Sequence, residues 1–299
     1  MNKLTVLVLA FLLLTSVASI GTAAEIIIKP GDSIQDSINN AAAHYTIIQK
    51  QGTYTENIKV LKDGLTIRSE SGNSDDTIIK AKNSSANTLL LQADNITING
   101  FKIIGATDYS YSGICLSSCS NCVINNNKLM GNAYGIYVLH SEGNMVSKNT
   151  ATKNGEYGIV LGSSTGNVFS GNTASNNSRG IHFGNSDGNT LSGNTVRDNS
   201  VYGLYVCPRS DRNLIFNNYF NNTNITIKNG IGNAYNTRKT AGTNIVGGSY
   251  IGGNFWAKPD GTGFSQTSVD KNGDGIADPA YTNITGSIYS DYLPLVVSK

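Results

Sequence analysis

Tyrosine recurs at regular steps along the middle of the chain, with one arginine and one histidine at equivalent positions, and these residue types suit ligand binding. One series stands just before a repeated glycine, and a second stands two residues after it. If both series share one face of a sheet, their rings offer apolar surfaces with polar tips, which match the faces and hydroxyls of sugars. The alternative is that these side chains only favour strand formation. The predicted ligand-binding residues, which make up the aromatic strip, are Tyr134, Tyr137, Tyr157, Arg179, His182, Tyr202 and Tyr205.

Two carboxylates could support acid–base chemistry. Asp187 and Asp211 share one turn position in successive repeats. One repeat of separation places them near the ~5–5.5 Å that a retaining glycosidase requires between its two carboxyl groups. The alternative is a pair of solvated turn residues, so these two aspartates are weak catalytic candidates.

A calcium loop is predicted near the C-terminus. Oxygen-bearing residues stand at positions 1, 3, 5 and 9 of the segment, a glycine stands at position 6, and a backbone carbonyl is available at position 7. Tyr281 occupies position 12, where an EF-hand has a bidentate glutamate, so weak affinity is expected. The alternative is a plain turn. The predicted ligands are Asp270, Asn272, Asp274, the carbonyl of Ile276, and Asp278.

Three of the four cysteines are clustered. Cys115, Cys119 and Cys122 are near neighbours, whereas Cys207 lies several repeats away. The cluster allows one local disulfide, whose pairing the sequence leaves open. No fourth ligand of the kind that zinc requires lies nearby.

The composition excludes several classes of protein. The 299 residues carry a net charge of +2, and only 14% of them are charged. Many asparagines and 33 glycines disfavour helices and favour turns, so helical bundles and coiled coils are excluded. A nucleic-acid-binding protein needs a basic surface that this near-neutral chain lacks.

An internal repeat determines the predicted fold. One asparagine recurs at 121, 144, 167, 189 and 213, a second at 126, 149, 172, 194 and 218, and a glycine at 113, 135, 158, 180 and 203. Each repeat holds short runs of strand-forming residues, which can pair only with the equivalent runs in neighbouring repeats. The sequence therefore predicts an all-β fold, a right-handed parallel β-helix with 22–24 residues per coil.

Apolar residues at the same period predict the interior columns, and stacked asparagine amides are expected at the corners of the coils. One predicted column is Val123, Val146, Phe169, Leu191 and Ile215. A second is Ile114, Ile136, Ile159, Ile181 and Leu204, and a third is Leu116, Val138, Leu161, Phe183 and Val206.

The two ends of the chain differ from the repeats. Residues 1–24 are predicted to be a secretory signal peptide, with Lys3 before an apolar run and small residues before Glu25. The β-helix is expected over 25–250, with regular coils over about 95–225. A short helix that begins with Asp32 or Ser33 as its N-cap is expected to cover the first coil. Residues 251–299 are predicted to form a C-terminal capping segment.

The chain resembles the NosD-like family of exported β-helix proteins, whose shared domain is also called the carbohydrate-binding and sugar-hydrolase (CASH) domain. The resemblance covers nearly the whole mature chain. It rests on Gly52-Thr-Tyr-Thr-Glu-Asn57 after the first helix, on the repeated coils, and on a C-terminal tail. The tail motifs are Gly252-Gly-Asn-Phe-Trp256, Asp270-x-Asn-Gly-Asp-Gly-Ile-x-Asp278 and Asp291-Tyr-Leu-Pro294. The resemblance implies an envelope or surface protein, and the family name implies periplasmic copper binding.

Three functional hypotheses follow. The first is an exported, non-catalytic β-helix that binds a polysaccharide or glycan of the envelope, at the cell surface or in the periplasm. This protein would bind no nucleic acid and would have no membrane span after signal cleavage. The second is a polysaccharide hydrolase, lyase or epimerase. The third is a copper-binding accessory protein. Copper favours His, Met and Cys ligands. Because His44, His140 and His182 share no repeat column, copper is not the expected cofactor.

Overall fold

The computed structural model describes residues 24–297 and is a right-handed parallel β-solenoid of about nine turns. This confirms the predicted fold class. Almost all of the predicted signal peptide lies outside the described residues. Each coil contributes one strand to each of three parallel sheets, in which every strand pairs with the equivalent strand of the next coil.

The three sheets follow the order of the chain. Sheet 1 contains Glu25–Ile28, Thr46–Gln49, Thr66–Ser69, Thr97–Asn99, Val123–Asn125, Met145–Ser147, Val168–Ser170, Thr190–Ser192 and Leu214–Phe216. Sheet 2 contains Ile58–Val60, Leu89–Leu91, Ser112–Ser117, Tyr134–Leu139, Tyr157–Gly162, Arg179–Gly184, Tyr202–Val206 and Thr226–Ile227. Sheet 3 contains Gly52–Thr55, Thr77–Lys80, Lys102–Ile104, Lys128–Met130, Thr150–Thr152, Thr173–Ser175, Thr195–Arg197, Tyr219–Asn221 and Phe255–Ala257.

Irregular structure is concentrated at the ends. Thr240–Ala241 and Tyr250–Ile251 form a small antiparallel pair. The helices are Ile34–Asn40 and Phe264–Thr267, and Ile284–Gly286 is a 3₁₀ turn. None of the helices within 24–297 has the length and apolar character needed to cross a membrane.

Apolar columns fill the interior. The two predicted columns of sheet 2 are confirmed, because their members pair in register and are fully buried. Gly135, Gly158, Gly180 and Gly203 lie in register between the paired residues of this sheet. A Cβ atom on Gly158 would lie 2.8 Å from the carbonyl oxygen of Gly180, so this close approach of the chains requires glycine.

The predicted apolar column of sheet 1 is wrong by one residue in its first coil. Ile124, not Val123, pairs with Val146 and is fully buried. Both predicted asparagine columns are shifted by one residue in this coil. The main-chain N–H of Cys122, not Asn121, donates to Asn144 Oδ1, and that of Asn127, not Asn126, donates to Asn149 Oδ1. In a strand, a shift of one residue exchanges the buried and exposed faces.

Stacked asparagines join the coils at their corners, as expected, but in three ladders where the sequence analysis identified two. In each ladder an Asn side-chain oxygen accepts from the main-chain N–H and the side-chain amide of the Asn below it. The first ladder is Asn144, Asn167, Asn189, Asn213 and Asn233. The second is Asn127, Asn149, Asn172, Asn194, Asn218 and Asn254, and the third is Asn132, Asn154, Asn177, Asn199 and Asn222.

The N-terminal helix covers the first coil. Its N-cap is Ser33, whose hydroxyl accepts from the N–H of Asp36. Glu56, within the motif that supports the family resemblance, accepts from the N–H groups of Ile34 and Gln35 at 2.9 and 3.0 Å. A carboxylate at a helix N-terminus satisfies free amides and interacts favourably with the helix dipole.

The C-terminal segment closes the other end. Trp256 continues sheet 3 from within the segment predicted as non-repeat tail, and its ring stacks on Phe220 at 4.9 Å between centroids. Asp291 accepts from the main-chain N–H of Asn254 and from Trp256 Nε1, so a carboxylate completes the second asparagine ladder. Gly253 lies directly against this carboxylate, which leaves no room for a side chain there. The tail motifs at 252–256 and 291–294 are therefore explained by capping.

Candidate functional site

Sheet 2 brings the aromatic strip together. Tyr134, Tyr157, Arg179 and Tyr202 are register partners in successive strands, as are Tyr137, Val160, His182 and Tyr205. Ile159 and Leu161 flank the second series and point into the core. The two columns of side chains therefore lie on the outer surface. Contacts between their rings show that the columns lie side by side.

The rings form a continuous surface that crosses four coils. Tyr134 makes edge-to-face contacts with Tyr137 and Tyr157, at 5.8 and 5.0 Å between centroids. Tyr157 contacts His182 at 5.4 Å, and His182 stacks on Tyr205 at 4.7 Å with an interplanar angle of 4°. Aromatic pairs of this kind hold each other in fixed orientations.

Exposure differs along the aromatic strip. Tyr134 is buried, with 8% of its surface exposed, whereas the other members are half-buried. The expectation that every member is accessible therefore does not hold for Tyr134, because it is packed between Tyr109 and Tyr157. Tyr109, 73% exposed, extends the aromatic surface at this end; it lies outside the two repeated series, so the repeat gave no signal for it.

Arg179 is held between two tyrosines and a carboxylate. Its guanidinium lies 5.1 Å from the centroid of Tyr157 and 6.0 Å from that of Tyr202, within the range of cation–π attraction. It also forms an ion pair with Glu156. Glu156 was missed by the sequence analysis, since no other repeat carries an acid there. The pair leaves this part of the surface without net charge.

His182 is held as a neutral hydrogen-bonding group. Its Nδ1 lies 2.7 Å from the hydroxyl of Tyr202. Burial, with a smaller effect of Arg179, lowers the pKa of His182 to about 4. Burial also raises the pKa of Tyr202 well above its ordinary value. At neutral pH both groups are uncharged and can exchange hydrogen bonds with hydroxyls.

Asp187 and Asp211 each accept a hydrogen bond from the main chain of the next coil. Asp187 accepts from the main-chain N–H of Asp211 at 2.9 Å and forms an ion pair with Arg212 at 3.1 Å. Asp211 in turn accepts from the N–H of Ile231 at 2.7 Å. Both carboxylates are therefore engaged in joining coils, away from the aromatic strip.

The predicted calcium loop is folded around its own amides. Asp270 accepts from the N–H groups of Gly273 and Gly275, both at 2.8 Å. Asn272 accepts from Asp274 N, Asp274 accepts from Ile276 N, and Asp278 accepts from Lys271 N. Lys239 forms an ion pair with Asp274. Calcium binding here stays a prediction. To bind the ion, the side-chain oxygens of this loop would have to give up hydrogen bonds to main-chain N–H groups.

The described residues 24–297 contain no group of three or more His, Cys, Asp or Glu side chains arranged to hold a metal ion. His182 already engages Tyr202 and Tyr205, and Met145 is 47% exposed on sheet 1. Cys119 and Cys122 lie in one corner, but within 24–297 no third His, Cys, Asp or Glu joins them, so the residues present do not fit a copper centre.

Solved structures share the solenoid. A pectate lyase, Pel9A, superposes with a TM-score of 0.58 at 14% identity, over 75% of this chain and 72% of that one. An alginate lyase from Paenibacillus sp. str. FPU-7 gives 0.50 at 18% identity, over 70% and 74%. ORF18 of Geobacillus virus E2 gives 0.54 at 15% identity, over 72% and 60%. At these identities the likeness shows the fold alone.

Sequence comparison identifies the family. A cell surface glycoprotein of Methanothermus fervidus is 35% identical over 135 residues, which are 43% of this chain. The match spans only about a fifth of that longer relative, 21% of its length. A family model described as periplasmic copper-binding protein (NosD) matches residues 38–261. The match covers most of the chain, which therefore belongs to the NosD family.

Proposed function

We propose that the protein is an exported β-helix of the cell envelope that binds glycan through the aromatic strip and does not catalyse a reaction. The observation that carries the proposal is the unbroken ring surface from Tyr137 to Tyr205 on sheet 2. The family is described as periplasmic and the glycoprotein relative as a cell surface protein, which supports an exported location.

The geometry suits an extended sugar chain. Successive coils place equivalent side chains ~4.8 Å apart along the solenoid axis. A chain lying along this axis would meet an aromatic ring in each of the four coils and phenolic hydroxyls in three of them, so that it gains both packing and hydrogen bonds. The rings are already ordered by contacts with one another, so binding would cost little side-chain entropy.

The pKa values on the strip support binding rather than catalysis. A general acid or base works best when its pKa lies near the operating pH. The pKa of His182 is lowered to about 4, mainly by burial, and that of Tyr202 is raised, also by burial, so both move away from neutrality. The rival hypothesis remains the one drawn from the sequence, in which the protein acts on a polysaccharide; a pectate lyase and an alginate lyase share its fold.

A glycan array with the full mature chain tests the proposal. Retained glycans should bind the Tyr137→Ala/Tyr205→Ala variant at least tenfold more weakly, equivalent to about 1.4 kcal/mol. Tyr292→Ala is the matched control, because Tyr292 is 67% exposed on the C-terminal segment, away from the strip. Unchanged binding of every retained glycan to the double variant would reject the site.

The same glycans distinguish a binding protein from an enzyme. Prolonged incubation should leave their chain length and end groups unchanged. Release of shortened or unsaturated products that disappears in a His182→Ala or Asp187→Asn variant would replace the proposal with the enzyme hypothesis.

A further inference from the structure

Two cysteines occupy positions that later coils fill with serine and asparagine. Cys119 lies directly below Ser141, whose hydroxyl accepts from the N–H of Cys119 at 3.1 Å. Cys122 lies below Asn144 in the first asparagine ladder, where Asn144 Oδ1 accepts from its N–H at 2.8 Å. The next coils repeat the Ser and Asn pair at 164 and 167, at 186 and 189, and at 210 and 213.

Serine and asparagine link their coil to the preceding one by donating hydrogen bonds. The hydroxyl of Ser164 donates to the carbonyl of Val138 at 3.1 Å, and the side chain of Asn167 donates to the carbonyl of Ser141 at 3.1 Å. A thiol is a weak donor, so cysteine replaces these links poorly. The corner at Cys119 and Cys122 therefore lacks the strong side-chain hydrogen bonds that join the later coils at this position.

The two thiols are both buried in the same part of the core, three residues apart in one corner. Cys119 and Cys122 are 1% and 0% exposed, and both belong to the main hydrophobic cluster. Ser118 and Asn121 have positive φ values of 56° and 57°, which turn the chain before each cysteine. The Cys122 thiol donates to the carbonyls of Ala93 and Ser120 at 3.5 and 3.6 Å. The interaction between the two thiols lowers the pKa of Cys119 and, together with burial, raises that of Cys122.

The other cysteines are placed differently. Cys115 pairs with Tyr137 in the outward series of sheet 2, and burial raises its pKa to about 12. Cys207 lies several coils away, with its sulfur 3.7 Å from Asn185 Oδ1. Only one pair of thiols is thus inward-facing, adjacent and equipped with a more acidic member.

We propose that Cys119 and Cys122 form a disulfide in the exported protein. The reaction requires an oxidising disulfide, supplied by a thiol–disulfide oxidoreductase or a small-molecule disulfide. The Cys119 thiolate attacks that disulfide and releases one thiolate, which takes up the proton lost from Cys119. The Cys122 sulfur, losing its own proton, then displaces the second thiolate, so two protons and two electrons pass to the oxidant. Because the folded corner buries both sulfurs, the bond forms before the coil closes.

Mass spectrometry of the full mature chain, refolded with oxidised and reduced glutathione, tests the proposal. After denaturation without reductant and alkylation, Cys115 and Cys207 should be modified. The peptide that contains residues 119 and 122 should be unmodified and lighter by two hydrogen atoms. In the native protein this bond should resist a reductant that cleaves it readily after unfolding.

Two variants make the test specific. The Cys119→Ser/Cys122→Asn variant restores the residues of the later coils, so it should fold without the bond, and its melting temperature should not respond to reductant. The wild type and Cys115→Ser should both lose thermal stability when they are unfolded and refolded with reductant. Alkylation of Cys119 and Cys122 in the wild type, or a bond from either of them to Cys115, would overturn the proposal.

Discussion

Replacing Asn172 should measure how much an asparagine ladder contributes to stability. Its side chain accepts from the main-chain N–H and the side-chain amide of Asn149, at 2.9 and 3.1 Å. It donates to the carbonyl of Val146 at 2.8 Å and to Asn194 Oδ1 at 3.0 Å. Asn172→Ala removes all four hydrogen bonds from a site that is 1% exposed.

The expected loss follows from the group left without a partner. The main-chain N–H of Asn149 loses the contact that Asn172 supplied. The side chain of Asn149 keeps its bond to Ile124, and the carbonyl of Val146 stays within the parallel pairing of sheet 1. A buried polar group left unsatisfied costs about 1–3 kcal/mol. One such group predicts that Asn172→Ala lowers the free energy of unfolding by about 1–3 kcal/mol.

A pair of isosteric substitutions separates the ladder from surface effects. Asn172→Asp keeps the acceptor but loses both donated bonds and buries a carboxylate against Val146 O and Asn194 Oδ1. Asn176→Asp in the same coil changes an exposed side chain and is the matched control. Protonation supplies one donor again, so the penalty of Asn172→Asp should shrink at acid pH.

Urea denaturation followed by circular dichroism gives the unfolding free energies, and hydrogen exchange reports on the amide of Asn149. We expect this amide to lose protection in Asn172→Ala. If that variant differs from the wild type by no more than about 0.5 kcal/mol, as surface substitutions usually do, the ladder contributes no net stability and the reasoning is refuted.

Three further predictions concern the core, pH and calcium. Phe169→Ala, at a fully buried position of sheet 1, should cost about 3–5 kcal/mol in the same denaturation assay; a smaller loss would mean that the interior is not tightly packed. Burial raises the pKa of Asp291 to about 6, so the folded state binds the proton of this carboxyl group more tightly than the unfolded state does. The stability that this group contributes should therefore fall by about 3 kcal/mol as the pH rises from about 4 to about 6. Asp291→Asn should lack this component, and parallel pH profiles of the two proteins would contradict the assignment. Calorimetry with calcium should show weak binding, in the range of about 10⁻⁴–10⁻³ M, that is absent from Asp270→Asn/Asp274→Asn; equal heats for the two proteins would leave the loop a plain turn.

The period in the sequence predicted the solenoid because each column had at least four members at the same spacing. The same period could not set the register of the first regular coil. Val123 and Ile124 are both apolar, so either could have faced the core, and a neighbouring asparagine was available beside Cys122. The third asparagine ladder, which includes Asn177, did carry a repeat signal that was not used.

The candidate site was only partly predictable. Spacing identified the columns, because residues at one period must lie in register. It carried no information on contacts made by residues outside the repeat, such as Tyr109 above Tyr134 and Glu156 beside Arg179. The pKa values of His182 and Tyr202 likewise depend on burial by neighbouring coils, which only the folded chain reveals.

The ladders have a consequence for how such a chain can change length. Asn149 meets Asn172 as Asn172 meets Asn194, so the upper and lower surfaces of one coil are complementary to each other. A whole coil inserted between two coils would find a hydrogen-bond partner for each of its ladder asparagines. Deleting a whole coil would likewise leave no ladder asparagine without a partner. Insertions that are not a multiple of one coil would instead break all three ladders. Lengthening by duplicated coils would extend the outer surface of sheet 2 in steps of ~4.8 Å, so the length of ligand that the surface spans can change independently of the two caps.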